Sequence, residues 1–144
     1  MKLHLGVIDI PYDHTDKGTT TGDVAEILEA KYHPMEIFYA LHQQRIADDV
    51  ASGVEGVLET LMMTGKVQDL EVALQGACSK IDERFKDFLS NKEMESIGVP
   101  GVPTKAALAG KTSRKKRKKG SPRPSFIDTG LYQASFKSWV DDGR

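Results

Sequence analysis

The stretch that decides the fold is residues 34–65, PMEIFYALHQQRIADDVASGVEGVLETLMMTG, in a chain of 144 residues. Its apolar residues recur at steps of three and four, which is the spacing of one helix face. Pro34 suits the first turn of a helix, and Gly65 suits its end. The pattern therefore predicts one long helix, with an apolar stripe formed by Phe38, Leu41, Val50, Val54, Val57, Leu58 and Leu61.

Two glycines, Gly53 and Gly56, interrupt this helix one turn apart. Each costs about 1 kcal/mol relative to alanine, so the pair indicates a kink or the close approach of a second helix. The segment 69–91, DLEVALQGACSKIDERFKDFLSN, follows after a short link and predicts that second helix. We expect an antiparallel hairpin, whose second stripe consists of Leu70, Leu74, Ala77, Ile81, Phe85, Phe88 and Leu89.

The N-terminal segment LHLGVIDI alternates in polarity and predicts a strand with Leu3, Leu5 and Val7 on one face. The segment DVAEILEAKY predicts a short helix capped by Thr21 or Asp23. Its apolar positions are Val24, Ile27 and Leu28. The dipeptide His33-Pro34 then separates this helix from the long one, because the residue before a proline avoids the helical region.

The C-terminal segment, SFIDTGLYQASFKSWVDD, predicts a helix capped by Asp128 or Thr129 and then a strand at FKSWV. This strand can pair with the N-terminal one. The fold class that we predict is α+β: an antiparallel helical hairpin packed on a small β-sheet, with a long basic loop or arm. Residues 1–144 form one domain, and residues 98–125 form the extended basic arm.

Charge is distributed unevenly along the chain. Residues 105–124 hold nine of the 20 basic residues and no acidic one, which leaves 20 − 9 = 11 basic residues against 21 acidic ones elsewhere. An acidic body with a basic arm can bind a polyanion, or it can bind copies of itself. The basic residues expected to contact a neighbouring subunit or DNA are Lys111, Arg114, Lys115, Lys116, Arg117, Lys118, Lys119 and Arg123.

Nothing in the sequence predicts an enzyme, a metal site or a cofactor. Cys78 is the single cysteine and lies on the apolar stripe of the second long helix, where packing is its expected role. His14, Asp13 and Asp16 can be drawn as a metal cluster, but a polar loop explains them without a metal. The segment GVPGVPTKAALAGK lacks the spacing of a phosphate-binding loop. No stretch is long and apolar enough to predict a membrane span.

Six consecutive basic residues, 114–119, would bind phosphate backbones without reading their sequence. No aromatic residue lies between residues 105 and 124, so base stacking is not predicted. A nuclear localisation signal and a solvated charged loop remain open as alternatives for this block.

The segment RPSFIDTGLYQASFKSWV resembles the C-terminal signature of the small phage neck and tail-completion proteins, the virion morphogenesis or tail-component family. Those proteins carry an apolar-Asp-Thr-Gly-aliphatic stretch, followed by Ser and an apolar residue, after a basic, Pro-containing loop. The resemblance covers about a seventh of the chain. The matching positions are Pro124, Ile127, Asp128, Thr129, Gly130, Leu131, Ser135 and Phe136.

The resemblance implies a structural virion protein made in the host cytoplasm and located in the neck or tail. Copies would form a ring between head and tail, with head connector or portal-side proteins on one side and the tail tube or tail terminator on the other. Genomic DNA in the channel is a further possible partner. The alternative function is a sequence-independent nucleic-acid-binding module that uses the basic arm.

Overall fold

The two long helices form the hairpin that the sequence predicts. A computed structural model describes residues 1–12, 18–111 and 121–141. In it, α2 spans Pro34–Thr64 and α3 spans Leu70–Ser90. The start of α2 contacts the end of α3, since the rings of Phe38 and Phe88 lie 5.5 Å apart. Farther along, Asp49 pairs with Arg84, with oxygen and nitrogen 2.6 Å apart. The helices are therefore antiparallel, as predicted.

A two-stranded antiparallel sheet joins the two ends of the described chain. Strand β1 is Lys2–Val7, and β2 is Phe136–Asp141. Leu3 lies opposite Val140, and Val7 opposite Phe136. The alternation predicted for β1 is confirmed, because Leu3, Leu5 and Val7 pack against the core. The sheet packs on α3, which confirms the α+β architecture.

Four shorter helices complete the described fold. Helix α1 spans Thr21–Tyr32, α4 spans Glu93–Ile97, α5 spans Lys105–Leu108 and α6 spans Leu131–Ser135. A single residue, His33, joins α1 to α2; it takes a left-handed conformation with φ 53°. The predicted break at His33-Pro34 is thus confirmed, with Pro34 as the first residue of α2.

The centre of the core is aromatic. Phe38, Phe85, Phe88 and Phe136 are fully buried, and the rings of Phe85 and Phe136 stack 3.9 Å apart. These residues come from α2, α3 and the start of β2, so the cluster fastens the sheet to the hairpin. Among the described residues, no helix combines the length and apolarity needed to cross a lipid bilayer.

The stripe predicted for α2 is only partly right. Phe38 is buried and Val50 packs on the core, but Leu41 and Leu58 are each 53% exposed. Val54 packs on the buried cluster of Leu74, Cys78 and Val140, and Val57 is half-buried, whereas Leu61 is 36% exposed. Ile27 of α1 is also exposed. The stripe predicted for α3 is confirmed, since six of its seven residues are buried and Leu70 packs beside Leu74.

The predicted cap of α1 is wrong by one residue. Thr20 is the cap: its hydroxyl accepts a hydrogen bond from the Asp23 N–H, and the Asp23 carboxylate accepts one from the Thr20 N–H. This reciprocal pair is a capping box, in which Asp23 occupies the third helical position. Thr21 is instead buried, and its hydroxyl donates to the Ile8 carbonyl at 2.6 Å.

Candidate functional sites

The two flanks of the basic block are bonded to each other at the surface of the body. The Arg123 Nε donates to the Lys111 carbonyl at 2.9 Å, and the Arg123 N–H donates to the Ala107 carbonyl at 3.0 Å. Residues 114–119, which carry six of the predicted contact residues, lie outside the described ranges. The two ends of the basic block therefore meet at one place. We call this place, formed by Ala107, Lys111 and Arg123, the arm base.

Arg123 has an intramolecular role at the arm base. Its guanidinium donates to the carbonyls of Pro124 and Ile127, and it lies 3.8 Å from the Asp128 carboxylate. The sequence predicts a contact to a neighbour or to DNA for this residue. Its side chain is instead only 19% exposed and is held by its own chain.

Much of the region predicted as an extended arm is packed on the body. Val102 and Ala107 are buried, and the helical turn predicted at TKAALAG is α5. Ser125 is buried too; its N–H and hydroxyl both bond to the Glu95 carboxylate, at 2.9 and 3.0 Å. The described parts of residues 98–125, which are residues 98–111 and 121–125, thus form a packed connection and not an extended arm.

The Asp128-Thr129-Gly130 centre of the C-terminal signature is a turn before α6. Gly130 is the N-cap, at φ 80°, so the prediction that Asp128 or Thr129 caps this helix is wrong. Thr129 supports the turn from one position earlier, since its hydroxyl accepts from the Leu131 N–H at 3.3 Å. The glycine is needed for its left-handed backbone rather than for close packing, because a Cβ there would meet nothing within 4 Å.

The rest of the signature serves the core. Phe136 is fully buried, Ile127 packs on the core, and the buried Ser135 hydroxyl donates to the Tyr132 carbonyl. Pro124 and Leu131 are half-buried. The residue after Leu131, Tyr132, is 3% exposed and belongs to the core.

A cavity of about 440 Å³ lies between α1, the arm base and the signature turn. Its walls are mainly aromatic and aliphatic side chains. The Tyr32 and Phe126 rings meet at 5.2 Å and are tilted by 57°. Phe126 has φ 68°, an uncommon conformation for a bulky residue and one that clusters at functional sites. Asp128, Thr129 and Gly130 of the signature also line the cavity.

Tyr132 also lines the cavity, and its hydroxyl has almost no accessible surface. The Tyr132 hydroxyl is buried, and no described residue forms a hydrogen bond with it. Burial raises the pKa of this phenol well above its usual range, and the nearby Glu29 and Tyr12 raise it further. The hydroxyl is therefore a neutral group at any physiological pH. Sequence reasoning missed Tyr132, because a single tyrosine beside a helix start carries no pattern.

A second surface lies at the far end of the hairpin, which we call the distal hairpin and define as residues 46–79. It contains six acidic residues and one basic residue, Lys66, a formal balance of −5. Large apolar side chains are exposed there as well, with Met62 and Met63 both 86% exposed. The acidic residues are Asp48, Asp49, Glu55, Glu59, Asp69 and Glu71.

Other candidate groups have structural explanations. Cys78 is buried, and burial raises the pKa of its thiol, which fits the packing role predicted for it. Glu29, His33 and Glu36 offer ligand atoms within 4.8 Å of one another. The Glu29 carboxylate, however, accepts from the N–H groups of Met35 and Glu36 and so caps α2. His14, Asp13 and Asp16 lie outside the described residues.

Comparison of the chain with protein-family models, with curated protein sequences and with solved structures found no match.

Proposed function

We propose that this protein is a structural virion component of a tailed phage, and that its copies form part of the head-to-tail neck or tail-completion ring. One observation carries the proposal. Two regions of opposite charge are joined to the described fold at separate places: the arm base connects the basic block, residues 114–119, to the body, and the acidic distal hairpin lies at the far end of α2.

The separation of the two surfaces follows from the hairpin. The arm base lies beside α4, where Ser125 bonds to Glu95. Helix α4 meets α2 near its start, through the 2.9 Å contact of Glu93 with His42. From His42 to the end of α2 at Thr64 the helix rises by about 33 Å, at 1.5 Å per residue. The tip of the distal hairpin therefore lies about 33 Å along α2 from the level of the arm base.

Two copies can pair them head to tail. Such a contact is heterologous, and repeated heterologous contacts close into a ring when the rotation allows it. The exposed methionines and leucines of the distal hairpin would give the interface an apolar centre, and the acidic side chains would set its orientation. The C-terminal signature supports the same proposal. Head connector or portal-side proteins and the tail tube or tail terminator are the further partners proposed.

Two complementary variants test the head-to-tail contact. The first variant reverses the charge of the distal hairpin with Asp48→Lys, Glu55→Lys and Glu59→Lys, and it keeps the basic block. The second replaces the six residues 114–119 by glutamine and keeps the hairpin. We expect light scattering to show that each variant alone is monomeric, whereas their mixture forms a 1:1 dimer and nothing larger.

The wild-type chain under the same conditions forms larger species, because both of its ends are intact. An equal mixture that stays monomeric while the wild type assembles would contradict the contact. Since all three substituted side chains are exposed, the variants keep the fold, and circular dichroism checks this.

A sequence-independent nucleic-acid-binding module is the second candidate, and the run of six basic residues, 114–119, favours it. It predicts that the wild-type monomer shifts to a larger mass only when duplex DNA is added. The hairpin-reversed variant would then bind DNA as well as the wild type does.

A further inference from the structure

The outer edge of β1, which faces away from β2, carries main-chain groups that the sheet does not use. Just past the paired strands, the Ile8 N–H donates to the Ser135 carbonyl at 2.7 Å, in the same register. In an antiparallel sheet, residue pairs that exchange hydrogen bonds alternate with pairs that do not. The even-numbered residues of β1 therefore bond to β2. The N–H and C=O groups of Leu3, Leu5 and Val7 point to the outer edge.

The two edges of this sheet differ in their hydrogen bonding. On β2, the outward Ser138 N–H donates to the buried Asp82 carboxylate at 2.7 Å. On β1, no described residue forms a hydrogen bond with the outward main-chain groups of Leu3, Leu5 and Val7. The β2 edge is thus satisfied by α3, whereas the β1 edge is a template on which another strand can pair.

The side chains that face the core show the same difference. Those of β2 are buried, whereas those of β1 are only half-buried, although the two sets lie opposite each other in the sheet. The β2 set is Phe136, Ser138 and Val140, and the β1 set is Leu3, Leu5 and Val7. The described fold therefore covers β2 and leaves β1 uncovered along its outer side.

A groove runs along α2 beside the open edge. Leu3 lies in its wall, and α2 contributes residues from Tyr39 to Glu55, which are apolar apart from Gln43 and Glu55. This part of α2 rises by about 24 Å, at 1.5 Å per residue. A strand of about seven residues has the same length. A strand added to β1 would therefore place alternate side chains over an apolar surface that matches it in length.

Charge defines one end of the occupant. Among the described residues that line the groove, Glu55 is the only charged one. It lies near the end where β1 begins, since Leu3 and Val54 pack on the same buried cluster. A basic side chain at this end would complement Glu55. Antiparallel strands pair slightly more stably than parallel ones, and in an antiparallel occupant this position is at the C-terminal end.

We propose that β1 accepts an extended segment of another protein as a third, antiparallel strand, with alternate apolar side chains in the groove and a basic side chain beside Glu55. Main-chain hydrogen bonds at Leu3, Leu5 and Val7 hold the segment, and the groove selects its side chains. This contact goes beyond the head-to-tail contact proposed above and does not depend on it, because the basic block takes no part in it.

The test uses the peptide Ac-TVTVTVTK-NH2 on the full-length chain. Its valines would lie opposite Leu3, Leu5 and Val7, and its lysine would lie beside Glu55. Amide hydrogen exchange, followed by NMR, reads each main-chain position. At saturating peptide we expect exchange at Leu3, Leu5 and Val7 to slow by at least about 10-fold, because each N–H gains an acceptor. The amides of His4 and Gly6 already bond to β2 and should not change.

The same measurement on the variant with residues 114–119 replaced by glutamine separates this contact from the head-to-tail contact. The variant lacks the basic block but keeps β1 and the groove, so the peptide should protect the same three amides. Unchanged exchange at Leu3, Leu5 and Val7 in both chains would overturn the proposal, whatever the wild-type chain does in light scattering.

Two N-methylated peptides test the main-chain bonds. Methylation of the three valine nitrogens removes the donors that face β1, whereas methylation of the three threonine nitrogens that follow them removes donors that face away. We expect the first peptide to bind at least about 10-fold more weakly than the second. Equal affinities would show that the peptide does not pair with β1 and would overturn the proposal.

Variants of the chain localise the side-chain contacts. Ala51→Trp, at an exposed position in the groove wall, should block the peptide, whereas Ser52→Trp, at the next exposed position outside the groove, should not. A peptide that ends in glutamate should bind the wild-type chain about 2-fold to 5-fold more weakly than the one that ends in lysine. This difference should disappear in Glu55→Gln, and its persistence there would contradict the basic end of the occupant.

A second copy of this chain is the competing occupant of the edge. The glutamine variant without peptide tests it at rising protein concentration. Exchange at Leu3, Leu5 and Val7 should stay fast. If exchange slows as the protein concentration rises, β1 pairs with β1 of another copy, and the assignment to another protein is overturned.

Discussion

At the scale of single residues, the two glycines of α2 have different roles although the sequence makes them look alike. A Cβ placed on Gly53 would lie 2.5 Å from Leu74 Cδ2, a fully buried side chain of α3. A Cβ on Gly56 would meet nothing within 4 Å. Only Gly53 therefore permits the close approach of the two helices, and the prediction made for the pair is right for one of them.

This difference gives a matched pair of variants. Gly53→Ala should lower the free energy of unfolding by about 1–3 kcal/mol, because Leu74 must leave its place in the core. Gly56→Ala should raise it by about 0.5–1 kcal/mol, since alanine is the better helix former. Urea denaturation of both variants measures the two shifts, and equal shifts would mean that the helices do not meet at Gly53.

A second residue-scale prediction concerns pH. The Asp9 carboxylate bonds to the Thr20 side chain and accepts from the Gly22 N–H at 2.9 Å, which lowers its pKa. A carboxyl whose pKa is lower in the folded state stabilises the fold above its unfolded pKa, and this contribution is lost as the pH falls through the folded pKa. We expect Asp9→Asn to lose less stability than the wild type between about pH 5 and pH 2. Urea denaturation across this range makes the comparison, and identical pH dependence would contradict it.

At the scale of elements, one buried carboxylate fastens β2 to α3. Asp82 is 4% exposed; its Oδ1 accepts from the Ser138 N–H at 2.7 Å and from the Ser138 hydroxyl at 2.8 Å. Its Oδ2 accepts from Lys137 Nζ at 3.0 Å. The outer edge of β2 thus has a side-chain acceptor from the neighbouring helix where no third strand pairs with it among the described residues.

Removing this acceptor should weaken the contact between the two elements. Asp82→Ala leaves the Ser138 N–H buried without a partner, and we expect a loss of about 2–4 kcal/mol in unfolding free energy. Asp82→Asn keeps an acceptor oxygen and loses mainly the pairing with the half-exposed Lys137, so its cost should be about 1 kcal/mol. Hydrogen exchange at the Ser138 amide should accelerate in the first variant and much less in the second.

The elements themselves could be predicted because each carries its own periodic signal. The stripe of α3 and the break at His33-Pro34 depend on local spacing and local sterics, and both are confirmed. The predictions that are wrong concern residues whose burial depends on tertiary contacts and not on local spacing. Leu41 and Leu58 fit the helical period of α2, but nothing in the described fold covers them. The cavity was not predicted at all, since it combines residues from α1 with residues about a hundred positions later in the chain.

At the scale of the whole molecule, the head-to-tail contact should be sensitive to salt and the fold should not. Raising the ionic strength from about 0.1 M to 1 M shortens the Debye length from about 10 Å to 3 Å. Copies held by an acidic hairpin and a basic block should then separate. The monomer should keep its unfolding midpoint, because its centre is the apolar cluster of Phe38, Phe85, Phe88 and Phe136.

Light scattering and thermal unfolding in the same salt series measure the two effects separately. Assembly that survives 1 M salt would indicate an interface dominated by apolar contacts. Replacement of residues 112–120 by nine Gly and Ser residues is the control, because the bonds between Lys111 and Arg123 hold the loop closed at the same length. This variant should unfold as the wild type does and should not assemble.

The two adjacent methionines at the end of α2 make the proposed interface sensitive to oxidation. Oxidation converts an exposed methionine into a polar sulfoxide, and Met62 and Met63 have almost no cover in a single copy. Peroxide should therefore modify both side chains quickly in separate copies and slowly in assembled ones. A copy oxidised before it meets a neighbour would lose the apolar part of its distal hairpin and stay out of the assembly, so the order of the two events decides which copies are incorporated.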